Sequence, residues 1–120
     1  MPLADTLDVR SLSRLFKALG EETRLRIVAL LTHGELCVCH IEEALGISQP
    51  NASRQLGILR NAGVVEPRRD GNWVYYHLST ELGPECERQI HALADSFAHQ
   101  DVLRRDIGRL VKGRGPEACR

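Results

Sequence analysis

Apolar side chains recur at helical spacing through most of this chain and change to a strand-like pattern in one short stretch after Gly63. Leu12, Leu15, Phe16 and Leu19 fall at i, i+3, i+4 and i+7 and predict a first helix ending at Gly20. A second opens with Glu21 and Glu22, whose charges suit the positive end of a helix dipole. It runs through Leu25, Val28, Ala29 and Leu31 to His33-Gly34. Ile41, Ala44 and Leu45 mark a short third helix that stops at Gly46. Ser48 is a good N-cap for a fourth, Pro50 sits in its opening turn, Ala52, Leu56 and Leu59 share a face, and Gly63 ends it. Residues 64–68 and 73–78 then have strand composition, and Asp70-Gly71 between them signals a hairpin. Pro67 places its strand at an edge. A single long last helix is expected from Pro84, with Ile90, Leu93, Phe97, Leu103, Ile107 and Leu110 on one face.

The third and fourth helices with a tight turn between them read as a helix-turn-helix, and the hairpin adds a wing. Fold class follows: mainly α with a small β-hairpin, a winged helix-turn-helix, dimeric through its first and last helices. Residues 1–112 form this domain, 113–120 a mobile tail, and the residues up to Leu7 a loose lead-in. The dimer is expected because the last apolar stripe is longer than so small a domain covers by itself. Facing away from the fourth helix's apolar stripe are Gln49, Asn51, Ser53, Arg54, Gln55 and Arg60, with Ser48 at its start. Amides, hydroxyls and arginines are the side chains that pair with base edges and phosphates, so these are the candidate DNA contacts. Arg68 and Arg69 join them from the wing.

Composition narrows this picture. Hydrophobic content of 42% with 27% charged residues is that of an ordinary soluble protein. No apolar run approaches the roughly 18 residues that cross a bilayer, and no export signal is present, so a cytoplasmic protein without a membrane partner is expected. Formal net charge is zero, which excludes a grip on nucleic acid through bulk charge alone. Charge is unevenly placed: acidic residues gather from Glu21 to Glu43, while Arg54, Arg60, Arg68 and Arg69 give the reading helix and wing a basic excess. His91, Asp95 and His99, at i, i+4 and i+8, read as a solvated polar face.

Four cysteines remain: Cys37, Cys39, Cys86 and Cys119. A cytoplasmic chain keeps thiols reduced, and one intervening residue is too few for an unstrained Cys37–Cys39 bridge, so free thiols are the working assumption. Thiolates select soft ions. Cys37 and Cys39 are the candidate ligands, with Cys86 or Cys119 as a possible third. Residues i and i+2 do not share a helix face, so binding one ion through both sulfurs predicts that this helix start bends or unwinds.

Several motifs occur together. Phe16-Lys17-Ala18-Leu19, Glu22-Thr23-Arg24-Leu25-Arg26-Ile27, Glu35-Leu36-Cys37-Val38-Cys39, the stretch 48–56, the stretch 59–65 and Gly71-Asn72-Trp73-Val74-Tyr75-Tyr76 stand in order. Between about Ser13 and Leu78 the chain resembles the ArsR/SmtB family of metal-responsive repressors. The resemblance implies a homodimer that sits on double-stranded operator DNA and leaves when an inducer binds. Its Cys-x-Cys pair resembles the arsenic- and antimony-responsive branch, which implies trivalent arsenic or antimony as inducer and no organic cofactor. Glu42 stands where that branch often has a third cysteine, and His40 where an acidic residue commonly follows the pair. The cadmium/lead branch adds N-terminal cysteines that this sequence lacks. A cadmium-, lead- or zinc-responsive repressor and a thiol-redox-responsive DNA-binding repressor are the alternatives. A redox enzyme is not indicated, because there is no Cys-x-x-Cys, no βαβ pattern and no catalytic constellation.

Overall fold

Helices in this chain begin where a side chain can take up the orphan N–H groups of a first turn. The computed structural model describes residues 8–113. Asp8 accepts from the Ser11 amide at 2.7 Å and opens α1 (Val9–Leu19). That bond holds the Asp8 carboxyl below its usual range. Glu21 does the same for α2 (Glu22–Leu31), accepting from the Arg24 amide at 3.1 Å. Strand β1 (Leu36–Cys37) leads directly into α3 (Val38–Leu45). Gly46 ends α3 in the left-handed conformation, φ 68°, where a Cβ would also come within 3.2 Å of Arg109 Nη1. Ser48 caps α4 (Gln49–Asn61), with Pro50 in its first turn as expected.

The hairpin forms as β2 (Val65–Asp70) and β3 (Trp73–Leu78), with Asp70 opposite Trp73 and Gly71-Asn72 as the connecting turn. Strand order is β1-β3-β2, so Pro67 does lie on an edge strand. Sequence reading missed β1, because two residues carry no periodicity. It pairs with β3 through Leu36 opposite Tyr76 and Cys37 opposite Tyr75. Glu35, just before β1, clasps the wing. Its carboxylate accepts from Arg68 Nε at 3.0 Å and Nη2 at 2.6 Å, and the guanidinium stacks 4.7 Å from the Tyr75 ring. His77 stands between two carboxylates, with Nε2 bonded to Glu66 Oε2 at 3.1 Å. Its Nδ1 lies 3.3 Å from Glu35 Oε2 without hydrogen-bonding geometry.

One apolar cluster holds these elements together, with Ile27, Leu30, Leu36, Ile41, Leu56, Leu59, Val64 and Val65 at its buried centre. Fully burying each such aliphatic side chain is worth about 1.5–3 kcal/mol against leaving it in water.

The long last helix of the sequence reading is two helices. α5 (Gly83–Phe97) ends at Ala98, and α6 (Asp101–Gly113) starts afresh and folds back over α2 and α3. Residues 98–101 contain no large apolar side chain to carry the stripe onward, and Asp101 is an acidic first-turn residue. A long-range ion pair fixes the return. Asp106, fully buried, accepts from Arg26 Nε at 2.8 Å and Nη2 at 2.7 Å, and Arg26 Nη2 also donates to the Leu45 carbonyl. Leu103 and Leu110 are buried beside it. Apolar length that the sequence assigned to a partner is therefore largely covered by the chain itself. Among the described residues, Val9 and Phe16 on α1, Ile58 on α4, Trp73 in the wing and Val111 on α6 stay exposed, and a groove between α2 and α5 is lined by Leu25, Val28, Leu93 and Phe97.

Asp106→Ala leaves the Arg26 charge unpaired against the core, and about 3–5 kcal/mol of stability should be lost in urea unfolding. An unchanged midpoint would show that α6 is not held by this pair.

The wing clasp has its own pH signature. Arg68 holds the Glu35 carboxyl below its ordinary value of 4.5, and the Ser79 hydroxyl does so for Glu66. Because both folded values are depressed, their stabilising effect is complete above pH 4.5 and is lost as pH falls through the lower folded values. Trp73, the sole tryptophan, reports from the wing. Its fluorescence should change as pH falls below about 4.5; in Glu35→Gln the starting signal should already be partly shifted.

Candidate functional site

Cys37 is both the last residue of β1 and the N-cap of α3, with extended backbone angles of φ −68° and ψ 147°. Its side chain therefore does not follow the helical screw, and the Cys37 and Cys39 sulfurs lie 3.1 Å apart. Two sulfurs sharing one ion through bonds of about 2.3 Å sit about 3.3–3.8 Å apart. The pair is thus nearly placed already, which corrects the expectation that the helix start must unwind to bring the sulfurs together. Cys37 is 2% exposed, whereas Cys39 is half-buried.

Cys37 and Cys86 carry free thiols, while Cys39 stands in a disulfide, so the expectation of free thiols throughout is not met at that position. Cys86 lies in the first turns of α5 and lines a different cleft, beside Ser11, Leu15 and Glu81, where burial pushes its thiol up. Within the chain it is not brought to the Cys37–Cys39 pair. Cys119 lies outside the described residues, as do 114–120 of the proposed tail and the first seven residues. Among the described residues no three His, Cys, Asp or Glu side chains converge as a metal site. His91, Asp95 and His99 are exposed, and His99 falls past the end of α5, in keeping with a solvated face.

The two cysteines open onto a cleft of about 610 Å³ between α4 and the wing, which Gln49, Ser53, Arg60 and Arg69 also line. Ion-binding and DNA-reading candidates thus share one cavity, a proximity the sequence did not show. Along α4 and its cap, Ser48, Gln49, Ser53, Arg54 and Arg60 are exposed, and Asn51 is half-buried.

Two candidate DNA contacts point elsewhere. Gln55 is only 9% exposed and accepts from Arg24 Nη1 at 3.0 Å. It lies three residues after Ala52 and four before Leu59, inside the apolar stripe, so helical arithmetic alone places it inward. Arg68 is committed to Glu35 and Tyr75. Successive strand residues face opposite ways, so Arg69 points instead into the cleft. Glu35 and His77, which join the wing to β1, carried no signal in the sequence; the Glu66–His77 cross-strand pair follows only from the register.

Residues 21–66 match the family described as "Bacterial regulatory protein, arsR family". The arsenic resistance transcriptional regulator ArsR1 of Pseudomonas putida is 40% identical over 110 residues, covering 88% of this chain and 84% of that protein. The arsenical resistance operon repressor of Escherichia coli is 51% identical over 100 residues, covering 73% of this chain and 86% of the repressor. Among solved structures, the homodimeric winged helix-turn-helix DNA-binding domain of a possible ArsR-family regulator of Mycobacterium bovis is 32% identical. It superposes with a TM-score of 0.62 over 78% of this chain and 84% of that one. The winged fold, the capped reading helix and these identities agree, and the chain belongs to the ArsR family of bacterial transcriptional regulators.

Proposed function

We propose that this protein is a metalloid-responsive repressor, which holds operator DNA as a dimer and releases it when trivalent arsenic or antimony binds Cys37 and Cys39. The observation that carries the reading is the pair of sulfurs 3.1 Å apart, from two cysteines that line the cleft between reading helix and wing. Relatives named for arsenic and arsenical resistance support the choice of ion. Both sulfurs act as thiols, Cys39 after a small cellular thiol has reduced its disulfide by exchange, being oxidised in turn. Each S–As bond forms as an As–OH bond breaks, and the thiol proton leaves with that hydroxyl as water, with no change of oxidation state. A third position on the ion is left to Cys119, to hydroxide or to a small cellular thiol.

Coupling to DNA follows from where Cys37 sits. A nearly buried sulfur cannot accept an ion with a third ligand unless it moves. Its backbone pairs with Tyr75 of the wing and caps α3, which packs on α4. One displacement therefore shifts Arg69 and the exposed face of α4 together. Loss of a few contacts of about 1–3 kcal/mol each releases an operator. A thiol-redox response centred on Cys39 is the second reading, because Cys39 stands in a disulfide here while Cys37 is a free thiol.

In the presence of a thiol reductant, Cys37→Ser and Cys39→Ser should each bind operator as the wild type does. Neither should release it at arsenite concentrations that free the wild type, as measured by fluorescence anisotropy. Serine keeps the size of the side chain, but its neutral hydroxyl is a poor soft-ion ligand. Titrations with cadmium, zinc and peroxide on the same DNA separate the other inducers. Normal arsenite release by the Cys37→Ser,Cys39→Ser double variant would place the trigger elsewhere.

Self-association is assigned to α1 and α5, whose open apolar side chains the chain leaves uncovered, and the homodimeric M. bovis domain supports it. Equilibrium sedimentation at micromolar concentration should give twice the 13.4 kDa chain mass, and Phe16→Glu should shift it toward the monomer. A monomeric wild type would rule out this mode of operator binding.

A further inference from the structure

A chain of polar contacts runs from the end of α1 to the exposed face of α4. Arg24 Nε donates to the Ala18 carbonyl at 2.6 Å, and its Nη1 donates to Gln55 Oε1 at 3.0 Å. Gln55 Nε2 donates to Asn51 Oδ1 at 3.1 Å, and Arg54 Nη2 donates to the same oxygen at 3.0 Å. A guanidinium has donors and no acceptor. Gln55 must therefore turn its carbonyl to Arg24, which leaves its NH2 group for Asn51. Asn51 must then turn its own carbonyl inward, where a second donor, Arg54, also meets it. Reversing either amide would set N–H against N–H, so the order of donors and acceptors is dictated from the Arg24 end. Among the described residues nothing accepts from the Asn51 NH2 group, and Asn51 is half-buried.

We propose that Arg24 and Gln55 are positioning residues that make Asn51 a one-way hydrogen-bond donor toward DNA. An unconstrained asparagine can pair with adenine through two bonds, accepting from N6 and donating to N7. Asn51 cannot, because its oxygen is already engaged. It addresses an acceptor instead, either the guanine O6/N7 or thymine O4 edge in the major groove or a phosphate oxygen. This rests on the operator-binding reading and adds to it a rule for what one position of the reading helix recognises.

The experiment is selection of duplexes from a randomised pool by the full-length wild type, Asn51→Ala and Gln55→Glu, with affinities measured on the selected sites. Asn51→Ala should weaken binding about 5- to 100-fold. If Asn51 meets a base, the preference lost in that variant should be for guanine or thymine; if it meets phosphate, the loss should be uniform across sequences. In Gln55→Glu the carboxylate still accepts from Arg24 but cannot donate to Asn51, so the Asn51 amide turns over and presents its oxygen. The preference should then move to cytosine or adenine, whose amino groups donate, or binding should weaken uniformly in the phosphate case. A wild-type adenine preference at that position, or a Gln55→Glu variant with unchanged sequence preference and affinity, would overturn the relay. Wild type that selects no sequence would instead overturn the operator reading itself. If Gln55→Glu does not fold, NMR of the wild type decides: the Asn51 side-chain NH2 signals should shift on adding the selected duplex while those of Gln55 stay. Unmoved Asn51 signals would refute the proposal.

Discussion

The short antiparallel pairing of β1 with β3 ties the Cys37-Val38-Cys39 segment to the rest of the molecule. Cys37 lies opposite Tyr75 in that ladder, and the same residue caps α3. Because a strand ends and a helix begins at one cysteine, its side chain leaves extended backbone while that of Cys39 leaves a helix. Two sulfurs that helical geometry would hold apart are thereby close enough to share an ion. Glu35, one residue before the ladder, adds the Arg68 clasp, so the wing and the Cys-x-Cys segment are joined both by the ladder and by an ion pair.

Polar groups are used inside this domain as braces. Arg26 and Asp106 pin α6 across α2 and α3, and Arg24 and Gln55 brace α4 from behind. Both arginines come from α2, and each also bonds to a backbone carbonyl, Leu45 for Arg26 and Ala18 for Arg24. Removing one partner would strand a desolvated charge, so these pairs specify the arrangement of helices as well as stabilising it. The zero net charge is consistent with this use: several of the arginines are neutralised internally, and Arg54, Arg60 and Arg69 are left for the outward and cleft-facing surfaces.

Local features of the fold were legible from residues within a turn or two of one another. Ser48 capping α4, Gly46 in the left-handed turn, Pro67 on an edge strand and the turn after Asp70 all follow from conformational preferences of single residues. The inward position of Gln55 was legible too, from its place between Ala52 and Leu59, although polarity argues the other way. Arg68 and Arg69 looked equivalent until the register showed that they face opposite sides.

What the sequence by itself determined is the first four helices, the hairpin after them and the thiol chemistry available at Cys37 and Cys39. Caps, glycines and apolar periodicity act over about four residues, and thiol chemistry belongs to the side chain. Only the tertiary structure decided that α6 folds back, that Gln55 and Arg68 are taken up as braces, and that the cysteines share a cleft with Gln49 and Arg69. Those outcomes depend on partners 80, 31 and 33 residues apart, Asp106 with Arg26, Gln55 with Arg24 and Arg68 with Glu35. No local preference encodes such a meeting, because a charged side chain is as stable in water as in an ion pair until the fold brings its counterpart within reach.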